Sequence, residues 1–207
     1  MALHSERSIG RQSRTRVLAD GITALGMERF AKRLFDTVAA SASLVLLSPI
    51  ILVVSAAIKL ESRGPIFSRE ALYGYGNSIR VIKFRSVPAR QETDQPNLRL
   101  TRVGRIIRRS GIDELPQLLN VLRGEMSVVG PRPYSSRSDM LESQLMPLPD
   151  GFKLGLTGLA QVNECREGFR TTEQCTNDDL HYIENWSLLL DFKIILMTVF
   201  SKNVPVS

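Results

Sequence analysis

Cysteine and histidine are nearly missing from this chain of 207 residues, and the shortage excludes several kinds of chemistry at once. Cys165 and Cys175 are too few for a disulfide framework and have no paired histidines at zinc-ligand spacing, so both read as ordinary reduced residues and no zinc site is expected. His4 falls in a polar tail. His181 stands in His181-Tyr182-Ile183-Glu184 without the identifiable partner that a catalytic base needs, so packing or surface placement is expected for it. No internal repeat is visible. The first residues hold no continuous apolar segment and no small-residue cleavage pattern follows the later apolar run, so a secretory signal is not expected.

What the chain has instead is cationic charge and one long apolar run. Lysine and arginine number 27 against 21 aspartate and glutamate, a formal charge of +6, which favours anionic partners such as phosphates, anionic lipids or nucleic acid. Residues 1–28 carry Arg7, Arg11, Arg14 and Arg16 among Ser, Gly and Gln and read as a flexible basic arm. From Thr37 to Ile58 there are 22 residues without a charged side chain, which as a helix would measure about 33 Å, enough to span a bilayer. Ser48-Pro49 interrupts this run at its middle, where proline removes a backbone hydrogen bond and a sharp bend is expected. Arg29, Lys32 and Arg33 precede the run and Lys59 and Arg63 follow it, and positive charge marks the cytoplasmic side. Residues 29–62 are therefore expected to form a re-entrant membrane helix hairpin with both ends cytoplasmic, in preference to a kinked span or a buried soluble helix.

The remaining residues, 63–204, fit one compact domain, mainly α with a small β element. The alternation Ile79-Arg80-Val81-Ile82-Lys83-Phe84-Arg85 predicts one or two strands around a turn at Gly74 and Gly76. A helix is expected from Thr101, with Val103, Ile106 and Ile107 inward and Arg102, Arg105, Arg108 and Arg109 outward. A second is expected from about Glu114 to Arg123, with Gly124 as its stop. Pro131 and Pro133 predict an irregular turn, a polar linker runs through Pro147, Pro149 and Gly151, and Gly155-Leu156-Thr157-Gly158 reads as a glycine-rich loop. Trp186 to Phe200 is almost wholly apolar but too short to span, which suits either the membrane interface or a core helix.

The densest chemistry lies in Arg108-Arg109-Ser110-Gly111-Ile112-Asp113-Glu114-Leu115-Pro116-Gln117-Leu118, followed by Asn120, Gly124-Glu125-Met126-Ser127 and Gly130-Pro131-Arg132-Pro133. Phosphoryl transfer needs a nucleophile, a divalent cation on the phosphate oxygens and cationic donors for the developing charge. Adjacent carboxylates beside arginines offer all three, since the planar guanidinium matches two phosphate oxygens at once. Acids at a helix start are also favoured by capping and the helix dipole alone, and an arginine stripe also suits solvent or anionic lipid.

The order of several strings shifts that balance: Lys32-Arg33-Leu34-Phe35-Asp36, Ser48-Pro49, Gly64-Pro65, Lys83-Phe84-Arg85-Ser86, Asp113-Glu114-Leu115-Pro116-Gln117-Leu118, Val129-Gly130-Pro131-Arg132-Pro133, Gly158-Leu159-Ala160-Gln161-Val162-Asn163 and Leu190-Asp191. Over about Lys32 to Val204 the chain resembles the bacterial sugar transferases, the monotopic polyprenyl-phosphate phosphoglycosyl transferases. The resemblance implies that Asp113 attacks the β-phosphate of a nucleotide sugar, that Glu114 ligates Mg2+ (with Mn2+ as a substitute), and that polyprenyl phosphate accepts the sugar phosphate. It implies phosphate or substrate contacts for Lys83, Arg85, Arg108, Arg132, Gln161 and Asn163, a membrane break at Ser48 and Pro49, and a catalytic domain on the cytoplasmic face of the bacterial inner membrane. Partners are then a nucleotide sugar, polyprenyl phosphate and inner-membrane lipid but no nucleic acid, with a homodimer left open. The chain departs from the family pattern at Arg69-Glu70-Ala71-Leu72-Tyr73, at Lys153-Leu154-Gly155, at Leu159 and at Glu164-Cys165. The alternatives are a catalytically silent membrane scaffold, against which both acids of the dyad stand, and a nucleic-acid binder, which the uncharged run suits poorly.

Overall fold

The structure, a computed structural model, describes residues 3–75, 77–88, 100–134, 148, 152–163 and 172–201, the first stretch as helical backbone alone up to residue 26. It divides into two compact units, residues 1–35 and 36–207. Helix α1 (Leu3–Glu61) opens the chain, followed by strands β1 (Phe67–Gly74) and β2 (Asn77–Phe84). Next come α2 (Arg102–Ser110), a 3-10 turn (Ile112–Gln117) and α3 (Leu118–Arg123). Strands β3 (Ser127–Val129) and β4 (Gly155–Thr157) and helices α4 (Leu159–Val162), α5 (Thr172–Glu184) and α6 (Leu188–Ser201) complete it. The fold is mainly helical with two small sheets, as the patterning predicts.

In the first unit, where composition suggests an arm, helix begins at Leu3. No proline precedes Pro49, so nothing in that stretch forbids a helix.

In the second unit, the part of α1 from Asp36 onward carries the long apolar run. Within residues Arg29–Glu61 an 18-residue window has a mean hydropathy of 2.3 and few buried positions, which is long and apolar enough to cross a membrane. Val45, Leu46, Leu52 and Val53 are all more than two-thirds exposed. The expected break at Ser48-Pro49 is instead a helical stretch. Pro49 has no N–H to give the Val45 carbonyl four residues back, and the Ser48 hydroxyl donates to that same carbonyl at 2.8 Å. The serine thus satisfies the acceptor that the proline orphans, which is how helix can continue through a proline in apolar surroundings.

The C-terminal end of α1 packs into the domain. Val54 and Ile58 form a cluster with Phe84 of β2 and Ile107 of α2. A second, larger cluster gathers Ala40, Leu72, Val81, Leu118, Val121, Met126, Val129, Tyr182 and Ile194. Strands β1 and β2 form the expected antiparallel hairpin, with Phe67 opposite Phe84 and Gly74 opposite Asn77. Sequence patterning expects Ile106 inside α2, but it is 67% exposed while Ile107 is buried. One helical face accommodates Val103 and Ile107, four apart, and turns Ile106 away from it. The glycine-rich Gly155–Thr157 is a strand, not a loop, parallel to β3. A Cβ on Gly155 would lie 2.3 Å from the Gly130 nitrogen, so only glycine lets these two backbones pair so closely. The expected linker through Pro147, Pro149 and Gly151 lies outside the described residues.

One further correction concerns chemistry. Cys175 is disulfide-bonded, not reduced, and Cys165, outside the described residues, is the other cysteine of the sequence. A low cysteine count argues against a framework of bridges but not against a single one. His181 is exposed on α5, its ring paired with Asn185 one turn on, in keeping with surface placement.

Two contacts fix where α2 begins. Glu61, the last residue of α1, accepts from the N–H groups of Arg102 (2.6 Å) and Val103 (2.9 Å) and so caps the helix start. Thr101 accepts from Gly104 N at 2.8 Å. The Glu61 carboxyl lies below its ordinary range: burial opposes this, but the Val103 and Arg102 N–H groups, Thr101 and the Arg102 charge outweigh it. Gly104 then passes so close to β2's exit that a Cβ there would sit 2.0 Å from the Ser86 carbonyl oxygen. Replacing a helical glycine by alanine ordinarily gains about 1 kcal/mol. Here Gly104→Ala is expected to lose about 2 kcal/mol or more through overpacking against backbone. Thermal unfolding in detergent reads the sign, and a raised melting temperature would contradict the close approach.

Candidate active site

The site is assembled from β2, α2 and the 3-10 turn that joins α2 to α3. Gly111 caps α2 with φ 69°, a left-handed conformation that glycine adopts without cost, and its N–H bonds back to the Arg108 carbonyl. The chain reverses there directly into Ile112–Gln117, which places Asp113 and Glu114 in the first turn. Hydrophobic Ile112 and Leu115 pack beneath, against the Val54–Phe84 cluster.

Asn120 sets the height of β2 against this turn. Fully buried, it accepts from Ile82 N at 3.0 Å and donates to the Arg80 carbonyl at 2.9 Å. Its side chain thereby behaves as a strand neighbour along the free edge of β2. The next residue, Lys83, reaches the dyad: its ammonium lies 3.9 Å from Glu114 Oε1 and 2.8 Å from Glu70 Oε2. Glu70 is opposite Val81, and Lys83 is two residues further along the same strand, so both lie on one face of the hairpin. Alternation along β1 was the signal that could have found Glu70, which the search for signature strings passes over.

Asp113 is 9% exposed while Glu114 keeps 39% of its side chain open, so the two neighbouring acids have different surroundings. Burial pushes the Asp113 carboxyl above the ordinary carboxylate range and the adjacent Glu114 pushes the same way, whereas Lys83 and Arg108 pull it down. A buried carboxylate flanked by two cations has the surroundings that nucleophilic attack on an anionic substrate requires.

Arg85 does not join this group. Its guanidinium is 1% exposed and donates to the carbonyls of Arg63 (3.1 Å) and Ser62 (2.9 Å) and to the Ser62 hydroxyl (2.7 Å). In place of the phosphate contact expected of it, Arg85 clamps the corner between α1 and β1, because a fork of donors there meets a cluster of unpaired helix-end carbonyls.

Arg132, Gln161 and Asn163 gather at the β3–β4 sheet. Gly130 N donates to Thr157 O at 2.9 Å and Gly155 N to Pro131 O at 3.0 Å, which pins the Gly130–Pro133 turn to β4. A Cβ on Gly158 would meet both the Gly130 carbonyl and the Gln161 amide oxygen, so Gln161 borders the same turn, with that oxygen buried and unbonded. Asn163 is exposed at the end of α4. The main-chain N–H of Arg132 is held by Asp179 of α5 at 3.0 Å, a buried carboxyl that no sequence motif singles out.

Known proteins resemble this chain over most of its length. The profile of the family described as bacterial sugar transferase matches residues 27–203. The chain is 42% identical over 188 residues to a UDP-glucose:undecaprenyl-phosphate glucose-1-phosphate transferase of Klebsiella pneumoniae, covering 84% of this chain and 40% of that protein. It is 44% identical over 183 residues to a protein of the same name from Caulobacter vibrioides, covering 81% and 68%. It is 37% identical over 193 residues to the exopolysaccharide production protein PSS of Rhizobium leguminosarum, covering 85% and 96%. The chain thus spans about two fifths of the Klebsiella relative and nearly all of the Rhizobium one. With a family profile matched over most of its length and the acidic dyad set beside Lys83 and Arg108, the chain belongs to the bacterial sugar transferase family.

Proposed function

We propose that this chain transfers a sugar-1-phosphate from a UDP-sugar, of the UDP-glucose kind, to undecaprenyl phosphate as the first step of exopolysaccharide or other surface glycan synthesis. The observation that carries the reading is the Asp113 carboxyl, nearly buried, with Lys83 and Arg108 close enough to pull against its desolvation. Relatives named for glucose-1-phosphate transfer to undecaprenyl phosphate support the choice of substrates.

In the first half-reaction an Asp113 oxygen bonds to the phosphorus that bears the sugar. The bond from that phosphorus to the bridging oxygen breaks, and UMP leaves with the oxygen and its electron pair. In the second, an oxygen of undecaprenyl phosphate bonds to the same phosphorus and the carboxylate is released. Lys83 and Arg108 hold phosphate oxygens beside the nucleophile, Arg132 holds a phosphate from its turn, and Gln161 and Asn163 face substrate. Arg85 acts at one remove, by fixing the corner on which β2 and α2 are built.

The donor set fits Mg2+ shared with substrate. Glu114 offers an open carboxylate, and among the described residues no three His, Cys, Asp or Glu converge as a protein cage. When bound, Mg2+ supplies charge neutralisation on the diphosphate. The apolar stretch of α1 is the membrane element: it enters one leaflet from the cytoplasmic face, and the helix, continuous through Ser48-Pro49 in the structure, bends at that pair when it inserts. Basic flanks on both sides and a proline that already forgoes one helical bond support that topology.

Asp113→Asn is expected to lower UMP release from UDP-glucose by about a thousandfold or more, the range for removal of a nucleophile, and to eliminate a covalent sugar-phosphate adduct. Intact-protein mass spectrometry that still finds the adduct in this variant would refute the assignment. Glu114→Gln is expected to lower the rate and weaken the dependence on Mg2+, and an unchanged metal titration would count against Glu114 as ligand.

A further inference from the structure

The Gly130-Pro131-Arg132-Pro133 turn has few ways to hold itself. Neither proline carries an N–H, so Arg132 supplies the one main-chain donor between them. Around it the donors two residues away go to different elements: Gly130 N to Thr157 of β4, and Tyr134 N to the Tyr73 carbonyl of β1 at 2.7 Å, with Tyr73 N returning the bond at 2.8 Å. The Arg132 N–H goes to a third, Oδ2 of Asp179 on α5. The same oxygen accepts from the hydroxyl of Tyr75 at 2.9 Å, across 104 residues of sequence.

Tyr75 sits at φ 53°, a left-handed conformation costly for a bulky residue, and is 2% exposed. Strain of this kind persists only where the surroundings over-determine it, and the buried bond to Asp179 does so. Asp179 is itself 0% exposed and its other oxygen, Oδ1, has no partner among the described residues. Leaving a carboxylate oxygen buried and unbonded costs stability, so the group is not there for stability alone. The groups facing it are Tyr75 from the hairpin turn, Arg132 from the turn after β3, and Asp178 from its own helix. Burial drives the carboxyl up to about 7, against the pull of the Tyr75 and Arg132 bonds and of the Arg132 charge.

We propose that Asp179 is a positioning residue for substrate binding: by fixing the sole main-chain donor between the two prolines, with Tyr75 as its brace, it sets the direction in which Arg132 is presented. This rests on the reading of Arg132 as a phosphate contact. Either protonation form of Asp179 keeps Oδ2 as an acceptor, so asparagine can stand in for it whereas alanine cannot.

The test is a double-mutant cycle on the full chain in detergent, followed by UMP release from UDP-glucose with undecaprenyl phosphate. Arg132→Ala and Asp179→Ala are each expected to raise the KM for UDP-glucose about tenfold with a smaller change in kcat, and the double variant to be within about twofold of Arg132→Ala. Asp179→Asn is expected to return KM to within about threefold of the parent. Single losses that multiply in the double variant overturn the inference while leaving Arg132 as a phosphate contact. An unaltered KM in Arg132→Ala overturns that reading and the inference with it. If Asp179→Ala is recovered only as aggregate, Tyr75→Phe takes its place in the cycle. It removes a single donor to the same oxygen and is expected to raise KM about threefold, without further loss in the Arg132→Ala background. An unchanged KM in Tyr75→Phe, or a loss that multiplies, overturns the inference.

Discussion

The rest of the domain depends on how the end of α1 is tied down. Glu61 gives both carboxylate oxygens to the first N–H groups of α2, and Arg85 gives its guanidinium to the carbonyls of Ser62 and Arg63. These are reciprocal solutions to one problem: a helix start exposes donors, a helix end exposes acceptors, and here each set is met by a charge from another element. Val54 and Ile58 close the joint with apolar surface. A rigid corner results, and from it extend both α2 with Arg108 and β2 with Lys83.

This joint gives the apolar helix a mechanical meaning. From Pro49 to Glu61 is a little over three turns, about 18 Å of rise, without a loop that could absorb movement. The Asp113–Glu114 turn is therefore held at a set height relative to any bilayer that takes up the exposed Val45, Leu46, Leu52 and Val53.

Much of this was legible in sequence where a local rule had no competitor. The β1–β2 hairpin follows from alternation, and the stop of α3 at Gly124 follows from its positive φ. The dyad was visible because two acids among arginines are unusual. Arg85 was misread because residue type states what a guanidinium can bind and not which anion or carbonyl it meets first. Gly155 was misread for a similar reason: glycine signals freedom in sequence, whereas here it answers a crowded neighbour, the Gly130 backbone. Ile106 faces outward because α2 is only nine residues long and its buried face is narrow. Asp179 and Tyr75 meet across a long sequence separation, where no motif can announce them.

Those separations bear on biosynthesis. Val128 N is held by Asp36 across 92 residues, and the Tyr75–Asp179 bond spans 104. During translation, the apolar helix and the acidic dyad emerge well before α5 does. At roughly 5 to 20 residues per second, several seconds separate the synthesis of Asp113 from that of Asp179. The nascent protein thus has its apolar helix first and its completed Gly130–Pro133 turn last, so a chain arrested on the ribosome ahead of α5 holds Asp113 and Glu114 without the carboxyl that binds the Arg132 N–H.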